Sequence, residues 1–344
     1  MDSIFNQRPP SLLSQFLSSP LRFLAHFLYT AFPLPPPTRT GKSIRLVCIS
    51  DTHSAHLDLP PLPPGDVLIH SGDLTQSGTL NEFYGVLDWM RIQPFKHKIF
   101  IAGNHDKCLD DPTIYQVLDG QYPELIYLQD SSVNVSVRGR ILTVYGSPRT
   151  PQHGSWSFQY PRFDPSQPIP VPPISIPMTS SSSSYLPRSK STTPTISRGF
   201  SSLSASADVN PWHFIPAKTD ILITHGPPFA HLDSLMPSSP QGCAALLNAL
   251  WLPPPPLAHV FGHIHARGVQ VLSWENDQRY YENIMAGRVG WWSLLLVLWG
   301  TVKRMYAFGK GRREMAKEGT VLVNAASVGG WGDERRNEAV CVDV

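Results

Sequence analysis

Five short apolar runs in this sequence each end in side chains able to ligate a metal. Ile99-Phe100-Ile101-Ala102 leads into Gly103-Asn104-His105-Asp106. The others deliver Ser50-Asp51-Thr52-His53, Ser71-Gly72-Asp73, Thr224-His225-Gly226 and Gly262-His263-Ile264-His265. Continuous runs such as Ile44 to Ser50 and Asp66 to His70 suit strands covered on both faces, as in parallel sheets flanked by helices. Between them, Thr79 with Glu82 gives a capping-box pattern, after which Leu80, Phe83, Leu87 and Met90 fall on one helical face. The alternation predicts an α/β fold with polar residues at successive strand ends, where open α/β sheets place their sites.

Further along, Val133, Val135 and Val137 alternate with polar residues, and Arg140 to Tyr145 is expected to pair with them as a hairpin around Gly139. Asp220 to Thr224 and His259 to Phe261 read as strands, Cys243 to Leu250 as a helix, and Val269 to Leu272 and Thr320 to Asn324 as the last sheet strands. The chain has 35 prolines in 344 residues, about twice the usual share, and their clusters mark linkers. Residues 1–43 read as an N-terminal amphipathic segment closed by the Pro-rich linker Pro33 to Pro37, and residues 44–344 as one domain. That domain carries two insertions. Residues 164–210 are rich in Ser, Pro and Thr, too poor in apolar residues to offset the entropy of ordering, and are expected to be disordered. Residues 286–313 are apolar, then basic, and predict a helix.

The apolar stretches Leu12 to Phe32 and Trp291 to Trp299 do not read as membrane spans: the first is broken by Pro20 and Arg22, and the second is too short. Both suit either core packing or contact with a membrane surface. A net charge of +2 gives no global field for nucleic acid, so no specific nucleic-acid binding is expected. The four cysteines, Cys48, Cys108, Cys243 and Cys341, form no Cys-x-x-Cys pair, which points to reduced thiols and an intracellular, cytoplasmic setting with peripheral membrane contact left open.

In an extended strand, residues two apart project to the same side, so Asp51 with His53, and His263 with His265, are expected to share a face, with Ile264 turned into the core. Carboxylates, imidazoles and one amide without thiolate suit Mn, Fe, Zn or Mg. Two divalent metal ions close together need a bridging carboxylate, and Asp73 is the natural bridge. Such a pair clamps phosphoryl oxygens, and a bridging water becomes a hydroxide nucleophile near neutral pH.

Taken in order, Asp51-x-His53, Gly72-Asp73, Gly103-Asn104-His105-Asp106, His225 and Gly262-His263-x-His265 resemble the calcineurin-like metallophosphoesterase superfamily, over the chain from Ile44 onward apart from the Ser/Pro insertion. Cys48 to His53, Tyr145-Gly146-Ser147-Pro148, Ile223 to Pro228 and Asn324-Ala325-Ala326-Ser327 are similar to the branch containing the brain metallophosphoesterase-domain proteins, itself similar to cyclic-nucleotide phosphodiesterases. The resemblance implies a four-layer αββα sandwich. It implies that Asp51, His53 and His265 hold one ion, that Asn104, His225 and His263 hold the other, and that Asp73 bridges them. His105 would face the substrate and stabilise or protonate the leaving oxygen, with Asp106 orienting its ring. The expected function is dinuclear-metal hydrolysis of a phosphoric ester, diesters ahead of monoesters. The substrate would be a small molecule, with cyclic nucleotides among the candidates. The alternative is a catalytically silent scaffold or binding protein on the same fold. Arg149 and Arg162 are candidates for phosphate contact, while His56, His70, His153 and His231 are expected bystanders.

Overall fold

The apolar runs form strands because each is buried on both faces. The computed structural model describes residues 10–37, 42–169, 196–197, 210–236, 238–252, 254–309, 319–329 and 334–344. Most of the expected disordered insertion at 164–210 therefore lies outside the described residues. In chain order come α1 (Leu12–Ser18), α2 (Pro20–Thr30), β1 (Arg45–Ile49), β2 (Val67–His70), α3 (Leu80–Arg91), β3 (His97–Phe100), α4 (Ile114–Gln121) and β4 (Leu125–Tyr127). Next are β5 (Ser131–Val137), β6 (Arg140–Ser147), the short β7 (Thr150–Pro151), β8 (Gln159–Tyr160) and β9 (Ile196–Ser197), then β10 (Ile221–Thr224), α5 (Ala244–Leu250) and β11 (Ala258–Phe261). The chain continues through β12 (Gly268–Leu272), α6 (Asn276–Met285), α7 (Trp292–Gly309), β13 (Thr320–Asn324), β14 (Val328–Gly329), β15 (Arg335–Arg336) and β16 (Val340–Asp343).

Strands β1 to β4 lie parallel in that order, with β16 antiparallel beside β1. The second sheet has the order β12-β13-β11-β10-β6-β5-β9, in which β13, β11, β10 and β6 are parallel. Inner faces of the two sheets share one core, in which Leu46, Cys48, Ile69 and Ile99 meet Val135, Val144, Ile223, Val260 and Val323. Outside the first sheet, Val47, Leu68 and Phe100 pack on Phe83, Val86, Leu87 and Met90 of α3 and on Ile114 and Leu118 of α4. Outside the second, Tyr145 and Leu222 pack on Ala245, Leu246 and Leu250 of α5. The layers are thus helix, sheet, sheet, helix.

Local chemistry explains where these elements begin and turn. Thr79 and Glu82 form the capping box reciprocally at the start of α3. Val86 takes the buried place expected for Leu80, which at the first helical position is 49% exposed. Arg138 (φ 50) and Gly139 (φ 85) make the two-residue turn of the β5–β6 hairpin, both left-handed as a twist-matched turn requires. The sequence reading ended the sheets at Asn324; the four-residue β16 extends them, its alternating burial too brief to stand out from a loop.

Pro20 falls in the first turn of α2, where its missing N–H costs nothing, so the N-terminal stretch is two helices rather than one kinked helix. Ala25 and Tyr29 of α2 pack on Tyr281, Ile284 and Met285 of α6 and on Val297 of α7, with the Tyr29 and Tyr281 rings stacked at 4.2 Å.

Near this layer lies the buried Asp233, whose Oδ2 accepts the N–H groups of Ala230 and Gly242, each at 2.8 Å. Burial pushes its pKa up to about 6 from an ordinary 3.8. The native state therefore binds this proton more tightly than the unfolded chain does. Its stabilising contribution is complete below pH 3.8 and is lost as pH rises through about 6. Asp233→Asn keeps the acceptor and removes the titration. Its stability relative to wild type should rise across that window by about 3 kcal/mol, measured by urea unfolding at a series of pH values.

Candidate metal centre

Each ligand-bearing stretch follows directly on a parallel strand: β1, β2 and β3 in one sheet, β10 and β11 in the other. The expectation that strand alternation brings these side chains together is corrected: they converge through the turns beyond the strands. Asp51 (φ 52), His53 (φ 44), Asp73 (φ 53) and His263 (φ 66) all lie past their strands in left-handed backbone conformations, and Ile264 is half-buried rather than turned into the core. Such conformations cost about 1–3 kcal/mol each in non-glycine residues and persist only where surrounding bonds impose them. Here Asp51 N–H donates to Gly72 O (2.9 Å) and His53 N–H to Asp73 O (3.1 Å). His263 N–H donates to the Asp51 carboxylate at 3.0 Å, tying the two sheets together at the site.

The seven expected ligands converge. Three sets of ligand atoms each lie within 4.8 Å of one another: Asp51, His53 and His265; Asp73, His225 and His263; and His53, Asp73 and His105. Asn104 joins the second set, its Oδ1 3.0 Å from His225 Nε2. Asp73 Oδ2 lies 3.3 Å from His225 Nε2 and 3.9 Å from His53 Nε2. It thus faces both groups. The third set places His105 within ligand range, although the family resemblance gives it no ligand role.

The charges suit cations. Burial opposes the charged forms of Asp51 and Asp73, yet His265 beside the first and His225 beside the second hold both carboxyls below their ordinary values. Against the same burial, Asp73 and then Asp51 raise His225 above its ordinary value. His263 stays neutral, lowered to about 3 by burial and by His225. His53 Nδ1 is buried with no hydrogen-bond partner among the described residues. Two fully buried carboxylates, ring nitrogens and an amide oxygen are a fitting donor set for divalent ions of intermediate hardness.

Backbone carbonyls orient the rings. The Nδ1–H of His225 donates to Ser71 O at 3.0 Å, which turns Nε2 toward Asp73 and Asn104. The Nδ1–H of His105 donates to Gln76 O at 2.8 Å. That corrects the expectation that Asp106 orients this ring. The Asp106 carboxylate is occupied by the N–H groups of Gly103, Leu74 and Thr75 and by the Thr75 hydroxyl. It locks the loop after β2 to the loop after β3. Trp156, which no motif singled out, stacks on His105 with ring centroids 4.4 Å apart. Its only sequence signal is an aromatic residue within a polar loop. Arg149 pairs with Asp130 at 2.8 Å, and Arg162 lies 3.4 Å from Gln241 O. His70 is bound to Thr52 Oγ1 at 3.0 Å and His231 to Glu282 at 3.0 Å, both outside the donor sets.

Comparison with known proteins gives the family. Residues 44–267 match the calcineurin-like phosphoesterase family. The chain belongs to that family. Metallophosphoesterase domain-containing protein 1 of Homo sapiens is 34% identical over 244 residues, covering 64% of this chain and 60% of that protein. UPF0046 protein T07D4.2 of Caenorhabditis elegans is 28% identical over 245 residues, 64% of this chain and 51% of that protein. A protein of Emericella nidulans named probable rhamnogalacturonate lyase C is 37% identical over 346 residues, which are 97% of this chain and 28% of that protein. The chain thus spans between 28% and 60% of the lengths of these relatives. As a calcineurin-like phosphoesterase it has the αββα layering described above.

Proposed function

We propose that this protein hydrolyses phosphoric esters with two divalent metal ions, Mn²⁺ among the suitable ones, and prefers diesters to monoesters. The observation that carries the proposal is the meeting of two oxygen and nitrogen donor sets at Asp73, with His105 alongside. Asp51, His53 and His265 would hold one ion, Asn104, His225 and His263 the other, and Asp73 both. When bound, such ions supply Lewis acidity toward phosphoryl oxygens and make water acidic enough to attack at neutral pH.

His105 has Nδ1 committed to Gln76 O, so Nε2 is the nitrogen left to hand a proton to the leaving oxygen. Trp156, stacked on that ring at 30°, is a positioning residue. Trp156→Ala should lower kcat by roughly 10- to 100-fold, the scale of lost outer support at metal sites. Metal content should be unchanged, and Trp156→Phe should recover much of the rate. Steady-state kinetics with elemental analysis decides it; a variant that loses metal would show that Trp156 supports the ligands instead.

The substrate class is tested by a panel on Mn²⁺-loaded protein: bis-p-nitrophenyl phosphate, p-nitrophenyl phosphate, and 2′,3′- and 3′,5′-cyclic nucleotides. Diesters turning over faster than monoesters is the expected result. Tight metal binding without turnover of any ester would favour the scaffold reading.

A further inference from the structure

Helix α7 is inside out. Its buried seam is Val297, Gly300, Thr301 and Arg304, three of them small or polar. A Cβ on Gly300 would overlap Asp277 of α6, so the two helices cross at close range. Thr301 Oγ1 lies 3.0 Å from Leu28 O of α2, and Arg304 pairs with Asp277. The opposite face carries Trp292, Leu295, Leu298, Trp299, Met305 and Tyr306, between 41% and 85% exposed. A helix on a water-facing surface has the reverse pattern.

The N-terminal helices beside α7 are also apolar on their exposed sides. Leu12, Leu13, Leu17 and Phe27 are each more than 60% exposed, α1 meets α2 through Phe16 and Phe23, and α2 packs on α7. So extensive an apolar surface marks an interaction site rather than scattered surface residues.

Charge decides the partner. No Asp or Glu occurs from Ser3 to Ser50 or from Asn283 to Arg313, while the second segment carries Arg288, Lys303, Arg304, Lys310, Arg312 and Arg313. The Lys303 ammonium lies 5.6 Å from the Trp299 ring centroid, an apolar and a cationic group side by side. Asp277 of α6 neutralises Arg304, but no acidic residue lies within either segment to offset the remaining lysines and arginines, so a second copy docked face to face would set like charges against each other. No helix among the described residues is long and apolar enough to cross a membrane. Tryptophans amid aliphatic residues, with lysine and arginine beyond, instead match a helix lying in the interface of an anionic bilayer. We propose that α1, α2 and α7 together dock this protein in the plane of an anionic lipid surface.

The test uses the full chain, floated with vesicles of phosphatidylcholine alone or mixed with phosphatidylserine. Wild type should float with the mixed vesicles and far less with the neutral ones. Trp292→Ser combined with Trp299→Ser should reduce binding more than about tenfold, and Lys303→Glu roughly tenfold on the anionic vesicles only. All three positions are exposed and remote from the ligands in sequence, so circular dichroism and ester hydrolysis should be unchanged; Lys303→Glu keeps the test decisive if the tryptophan variant misfolds. Absence of wild-type flotation, or equal flotation by the variants, would overturn the proposal. So would light scattering that shows a dimer which the tryptophan variant dissociates, since the face would then belong to a second copy.

Discussion

Exchange of Asp73 for alanine is expected to lower phosphoester hydrolysis by on the order of 10⁴-fold, because water would lose the paired cations that bring its pKa from 15.7 toward 7. The size follows from what one carboxylate touches. Oδ2 faces His225 and His53, while Oδ1 accepts the His105 N–H at 2.8 Å. Removing it separates the two donor sets and at once breaks the bond to the His105 N–H, although Asp106 still ties that loop to the one after β2. Asp73→Asn divides these roles. Its amide oxygen can still accept the His105 N–H, but the negative charge is gone, so metal content should fall nearly as far as in the alanine variant. Elemental analysis and rate measurement on the two variants would show this; an asparagine variant with full metal and full rate would mean that Asp73 acts only by holding the loop.

The second large effect concerns groups that carry no chemistry. A Cβ on Gly262 would overlap Asp51 Oδ2 and Ser50 Oγ, and one on Gly103 would overlap Asp73 Oδ1 and lie 2.7 Å from His225 Cε1. Asp51 and Asp73, two of the proposed ligands, are already held by hydrogen bonds, so relief requires them to move. Gly262→Ala and Gly103→Ala should each cost at least about 10- to 100-fold in metal affinity, as for lost outer support, and about 1–3 kcal/mol in stability through overpacking. Gly120 in α4, with nothing among the described residues within 4 Å of its Cβ position, is the control. Gly120→Ala should leave metal affinity alone and stabilise the helix by up to about 1 kcal/mol. Metal titration and thermal melts of the three variants measure the contrast.

The sequence announced the strands under the site because burial on both faces leaves unbroken apolar runs, and it announced the candidate ligands because each run stops at a residue able to bind metal. It did not announce how the ligands meet. Asp51, His53, Asp73 and His263 converge through left-handed turns imposed by bonds between distant loops, and no local propensity encodes those bonds. Gln76 acts on His105 through its backbone carbonyl, which leaves no side-chain signature, and Trp156 reaches the site by tertiary placement alone. The sandwich layering came from family resemblance, since periodicity could suggest a second sheet but not its face-to-face packing. At α7 the pattern was readable as apolar and basic, but its inversion appears only once the buried seam is known.

The most direct test of the dinuclear account is stepwise return of Mn²⁺ to metal-stripped protein, following bis-p-nitrophenyl phosphate hydrolysis against metal bound per chain. The account predicts negligible turnover at one equivalent and a steep rise as the second is taken up. Full activity at one equivalent, or hydrolysis that persists without metal, would contradict it.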